Sequence, residues 1–247
     1  MTFELFLFAF AVYLFAGVIK GTIGIGLPTI TISILAQLVD PRIAISFLLL
    51  PALVTNSWQI YRGGLLIKSL QTLWPFGLTL MVVLYFSSLF APAVPVRWLV
   101  FGIGIMVVLW TVTTLLKSPP KLPDRYDKPV QFFAGVVGGI SGGLTAIWSP
   151  PMVVYLHSRQ FEIDVFVAYT GFLIMCGTIP LVLGYATNGI LTRELLIGSA
   201  LMIVPTLIGF SVGEKLRSRI SGPQFHRVVL IIFCLMGLNM IRRGVLG

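Results

Sequence analysis

Apolar runs of about 20 residues, the length a helix needs to cross a bilayer, recur along the chain between short polar gaps. They fall near residues 43–61, 69–91 and 96–116, and again near 165–187, 192–212 and 225–241. Ahead of each set lies an apolar segment interrupted by glycine and proline, at about 3–38 and 129–156. The sets are separated by KSPPKLPDRYDK (117–128), where Lys117, Lys121, Arg125 and Lys128 stand among three prolines. That composition predicts an exposed connection on the cytoplasmic side. The fold class predicted is an all-α polytopic membrane protein, with a first membrane repeat over 1–116, a basic linker over 117–128 and a second repeat over 129–247.

The halves share letters as well as order. Phe15-Ala16-Gly17-Val18 with Gly21 and Gly24 matches Phe133-Ala134-Gly135-Val136 with Gly139 and Gly142, and Pro95 before one last span answers to Pro223 before the other. Internal duplication is the economical reading. If each interrupted segment dips in and returns, each half has three full crossings, the halves are inverted, and both termini lie outside. Arg62, Lys68 and the basic loop with Lys215, Arg217, Arg219 and Arg227 then fall on the linker side, while Arg97, Arg242 and Arg243 fall on the other.

The stretch FAGVIKGTIGIGLP (15–28) places a lysine and four glycines inside an apolar segment. Gly24-Ile-Gly26-Leu-Pro28 is expected to break the helix, with Pro28 in the opening turn of a new one. Ser149-Pro150-Pro151 is expected to do the same in the second half. Inverted-repeat transporters bind substrate near the midplane at such breaks, and two helix amino ends facing each other would make an anion site. Lys20, one turn before the first break, either contacts that anion or caps the carbonyls ending the first half-helix. Its repeat mate, Gly138, carries no charge. Small residues at four-residue spacing, Gly17 with Gly21, Gly135 with Gly139 and Gly209 with Gly213, suit helix packing, either inside the fold or in a homodimer.

Among the other polar residues, Thr55, Asn56, Trp58 and Gln59 cluster late in the second crossing. Trp58 and Tyr61 beside Arg62 read as an interfacial belt. Asn56, Thr145, Trp148 and Ser149 are the better site candidates. His157, Glu162 and Asp164 read as a solvated loop, with proton handling by His157 as the sharper alternative.

Composition narrows the function. The chain is 57% hydrophobic and 10% charged, with a mean hydropathy of +1.00. Its net charge of +9 sits at segment ends and in the linker, which favours topology over nucleic acid. Cys176 and Cys234 lie in apolar runs, and no cofactor or metal spacing is visible. All eight acidic residues lie at segment ends or in loops. Cation and proton antiporters normally keep a carboxylate in mid-membrane, so the pattern favours an anion. His157 and His226 have no setting for hydrolysis, so no enzyme is expected. A carrier, a passive anion channel on the same architecture and a noncatalytic scaffold remain.

The motif Gly17-x-x-x-Gly21-x-x-Gly24-x-Gly26-x-Pro28 and its partner Gly139-x-x-Gly142-Gly143-Leu144-Thr145, leading to Pro150-Pro151, resemble the signatures of the TauE/SafE family of sulfite exporters. The resemblance covers essentially the whole chain. It implies a bacterial inner-membrane transporter, often an exporter, for a small sulfur-containing or organic anion such as sulfite, a sulfonate, sulfoacetate or thiosulfate. Ala146, Trp148 and Ser149 stand where the family commonly has glycines, so a tryptophan is expected to narrow or shape the pocket.

Overall fold

Each apolar segment folds as helix, and each interrupted segment as a pair. The computed structural model describes residues 3–115, 120–216 and 223–246. Lys117, Arg217 and Arg219, and the side chains of His226 and Arg227, lie outside the described residues. The first half contains α1 (Phe3–Ile23), α2 (Leu27–Leu35), α3 (Pro41–Gly63), α4 (Leu66–Leu89) and α5 (Val96–Leu115). The second contains α6 (Asp127–Thr145), α7 (Ser149–Ser158), α8 (Ile163–Thr187), α9 (Arg193–Leu216) and α10 (Pro223–Leu246). No strand occurs among the described residues. Six helices there, α1, α3, α4, α5, α8 and α9, are long and apolar enough to cross a membrane. The chain is a multi-pass helical membrane protein.

Neither helix that leads into a break is a half-helix: the 21 residues of α1 and the 19 of α6 extend about 31 Å and about 28 Å, whereas α2 has nine and α7 ten.

The packing exchanges partners between the halves. α1 lies on α9, and α6 lies on α4. A β-carbon at Gly17 would fall 2.5 Å from the Thr206 carbonyl oxygen, and one at Gly21 would fall 2.3 Å from that of Phe210. Sequence numbers rise together, so α1 and α9 run parallel in close contact. The same holds for α6 on α4, where a β-carbon at Gly135 would meet Thr79 at 2.8 Å and one at Gly139 would meet Val83 at 2.6 Å. Small residues allow this approach of backbones in lipid, where dispersion supplies most of the attraction. Gly209 and Gly213 pack on Leu14 and Val18 of α1, so these glycines serve the internal fold.

α5 and α10 are antiparallel, with Gly104 against Gly237 and Ile241, and Gly244 against Arg97 and Phe101. α3 and α8 are antiparallel too, with Gly63 against Ala168 and Gly171 against Gln59. These two form the inner pair, 61% and 67% buried over their central windows against 39% for α4, α5 and α9. Pro51 within α3 leaves the Phe47 carbonyl without its helical donor. Ser199 of α9 takes up that carbonyl at 3.0 Å and accepts the Leu50 N–H at 3.1 Å.

Polar latches hold the short helices at each face. Arg159, just past α7, bonds Asp124 at 2.8 Å and lies 3.4 Å from Asp127. Leu122 N–H donates to the Ser158 carbonyl at 2.9 Å. On the opposite face, Arg42 donates to the Ala91 carbonyl at 3.0 Å, and Arg243 donates to that of Gln37 at 3.1 Å.

Two outcomes follow. Gly21→Val or Gly139→Val should lower stability in detergent by about 1–3 kcal/mol or abolish monodisperse protein, while Phe133→Ala, whose side chain is 69% exposed, should change the melting temperature little. The Arg159 hydrogen bond and charge hold the Asp124 carboxyl below its ordinary range. Because that folded-state value is depressed, the contact is complete above the usual carboxylate range and is lost as pH falls through the folded value. Proteolysis of the linker should therefore quicken under acid, and Arg159→Gln should remove the pH dependence.

Candidate functional site

The first break arises where α1 meets two glycines in left-handed conformations, Gly24 at φ +83° and Gly26 at φ +106°. Pro28 then occupies the first turn of α2, where a missing N–H costs nothing. Gly26 provides no side-chain cap, so the amino end of α2 keeps backbone donors unmatched by a side chain. α2 is buried nearly throughout, Thr29, Thr31 and Ser33 included.

Lys20 is fully buried in α1. Its Nζ donates to Asn56 Oδ1 of α3, and Asn56 Nδ2 is held by the Ala52 carbonyl at 2.7 Å. The three ion pairs among the described residues involve Asp40, Asp124 and Asp127, none with Lys20. An ammonium has three donors, and a neutral carboxamide takes one. The Lys20 carbonyl accepts from Gly24 N–H at 2.7 Å, so that backbone atom is already satisfied without the ammonium.

Gln59, one turn beyond Asn56, was not among the sequence-derived site candidates. Its Nε2 reaches the Gly24 carbonyl at 3.2 Å, the Val167 carbonyl, and Thr170 Oγ1 at 3.2 Å. One carboxamide thus ties the first break to α8 of the other half. Its spacing from Asn56 puts both on one helix face, a signal legible in the sequence. Trp58 is 44% exposed with Arg62 at 6.0 Å over its ring, as an interfacial residue should be.

The second break is built differently. Ala146 adopts φ +56°, a conformation that disfavours a β-carbon. Thr145 Oγ1 donates to the Ser141 carbonyl at 2.8 Å and accepts Ile147 N–H at 3.2 Å. Trp148 is buried, and β-carbons at Gly142 and Gly177 would fall 2.8 and 2.5 Å from its ring. The indole therefore fills space that these glycines leave between α6 and α8. Ser149, Pro150 and Pro151 open α7. Both prolines lack N–H groups, which makes this amino end poorer in donors than that of α2. His157 is half-buried, 4.9 Å from the Phe166 ring, while Glu162 and Asp164 are exposed.

The predicted site residues form two groups. Lys20, Gly24, Gly26, Pro28 and Asn56 gather at the first break, and Thr145, Trp148, Ser149, Pro150 and Pro151 at the second. Gly26 lies against Trp110 of α5, whereas the Thr145 methyl lies against Gly102. The two breaks thus meet α5 at positions eight residues apart. α2 runs from the Trp110 level toward Gln37, which bonds Asn239 at 3.0 Å near the end of α10. α7 runs the other way, to the linker. The two amino ends thus do not point at each other, contrary to the facing arrangement expected from the sequence.

No curated protein and no solved structure matches the chain. The family model described as Sulfite exporter TauE/SafE matches residues 9–240, a span that contains both breaks and the linker. The chain therefore belongs to the TauE/SafE sulfite exporter family, whose members are transporters and not enzymes.

Proposed function

We propose that the protein is a carrier that moves a small sulfur-containing or organic anion, such as sulfite, a sulfonate, sulfoacetate or thiosulfate, across the inner membrane of a bacterium, in the direction of export. The observation that carries this reading is the burial of Lys20 with a neutral partner and no carboxylate. A buried charge costs several kcal/mol unless it is paired, and an anion at the first break would supply the pairing. The uncapped amino end of α2 adds partial positive charge at the same place. Lys20, Gly24, Gly26, Pro28 and Asn56 then form the charge-binding part. Thr145, Trp148, Ser149, Pro150 and Pro151 line the second break and select by shape.

The carrier is built from inverted repeats, 1–116 and 129–247, joined by the basic linker 117–128 on the cytoplasmic side, with both termini outside. Helix directions support this. α1 runs with α9, α6 runs with α4, and α5 and α10 run against each other, as do α3 and α8. With hairpins at α3–α4 and α8–α9, each helix of the first half is opposed in direction to its counterpart. Alternating access follows from rocking one half on the other.

Counterflow of radiolabelled sulfite in proteoliposomes tests the reading. Wild type should show saturable counterflow inhibited by sulfonates, thiosulfate or carboxylates, and Lys20→Met should reduce it at least tenfold while the protein stays monodisperse and helical. Conductance at near-diffusive rates without counterflow would replace the carrier by a passive channel. Asn56→Leu strips Lys20 of its partner and should cost about 1.5–3 kcal/mol of stability. The double variant Lys20→Met/Asn56→Leu should lose less than the two single losses together, because no polar group is left unpaired. Strict additivity in thermal unfolding would show that the pair is not coupled.

A further inference from the structure

Trp110 of α5 belongs to neither group of predicted site residues, yet it is fully buried and borders the first break. Its Cζ2 lies 3.7 Å from where a Gly26 β-carbon would sit, and Nε1 is two bonds from that atom. The ring is fixed edge-on against Phe233, with centroids 6.1 Å apart. Packing therefore holds the indole in one orientation. Among the described residues its Nε1–H has no hydrogen-bond partner.

The chain has five tryptophans. Trp58, Trp74 and Trp98 are 44%, 55% and 49% exposed, so water or headgroups can meet their N–H groups. At Trp110 neither can, and the buried Nε1 of Trp148 at the second break likewise has no partner among the described residues. Thr29, the third residue of α2, is also fully buried, and its Oγ1 likewise has no partner. Phenylalanine and valine would fill the same volumes without an unmet polar atom. One unmet donor in the first turn of α2 and another on the ring that borders its uncapped amino end call for acceptors, and donors without a carboxylate suit an oxyanion.

We propose that Trp110 is a further substrate-binding residue: its indole N–H, together with the Thr29 hydroxyl, donates to oxygens of an oxyanion seated at the amino end of α2. The inference rests on the carrier reading and narrows it. Directed N–H and O–H donors favour sulfite and sulfonates, which carry several acceptor oxygens, over a spherical halide.

Indole resonances of the ¹⁵N-tryptophan protein in nanodiscs test this directly. The Trp110 signal, identified by its loss in Trp110→Phe and separated from the other buried indole by Trp148→Phe, should move downfield on titration with sulfite or methanesulfonate. It should stay in place with chloride, and the three exposed indoles should not move. In counterflow, Trp110→Phe and Thr29→Val should each raise KM for sulfite by roughly tenfold with kcat within twofold of wild type.

A Trp110 signal that stays still at saturating sulfite, or KM values within twofold of wild type, would overturn the role of Trp110. Saturable, Lys20-dependent counterflow in that same experiment would leave the carrier reading standing. An equal shift with chloride would overturn the oxyanion class. Absence of counterflow in wild type, with no indole moving, would remove both. The titration uses unaltered protein, so a folding defect in one variant does not decide the result.

Discussion

A helix can be interrupted inside a bilayer only where other helices cover the backbone that the interruption frees, because lipid offers no hydrogen bonds. That requirement organises this molecule. Neither interrupted segment could be enclosed by its own half alone. α1 is covered by α9 and α6 by α4, so each break is roofed by the opposite half. The glycines at four-residue spacing make such roofs close enough to exclude lipid. Across the divide, Gln59 caps the Gly24 carbonyl and reaches two acceptors on α8 with the same amide nitrogen. Local interruption and long-range pairing are thus one constraint seen at two scales.

The sequence carried much of this. Gly24 and Gly26 next to Pro28 define a break because positive φ and a missing donor coincide within five residues, and Ser149-Pro150-Pro151 does so because two consecutive prolines can only open a helix. The packing glycines were legible from their period. Pro51, Pro75, Pro180 and Pro205 look similar in isolation, yet all four lie inside continuous helices. For Pro51 the difference is Ser199, some 150 residues away, whose hydroxyl takes up the freed carbonyl. Nothing local distinguishes a proline with such a neighbour from one without.

Other parts of the site were hidden for the same reason. Asn56 stood out as a polar residue, but its pairing with Lys20 depends on how α1 and α3 meet. Trp110 sits in an apolar run that reads as an ordinary span, and its proximity to Gly26 is set by α5 packing on α2. The level of each break was also hidden. A pattern of glycine and proline fixes where a helix stops, not how far it has travelled, and the lengths of α1 and α6 together bring the two breaks to different positions along α5.

The two breaks therefore differ in what they can do, although their sequences share a pattern of glycines. The first keeps helix donors and has a buried ammonium, and a buried indole N–H without a partner among the described residues borders each break. The second gives up two donors to proline and fills its space with Trp148. The halves are alike in path and unlike in chemistry. The ammonium of Lys20 stands at the first break, whereas at the second the buried indole of Trp148 fills the space between α6 and α8. Gln59 crosses from one half to the other in its bonds to α8, whereas the Lys20–Asn56 bond lies within one half. The ammonium and its partner thus belong to one half and the cover of the first break to the other, the division on which the proposed rocking of the halves relies.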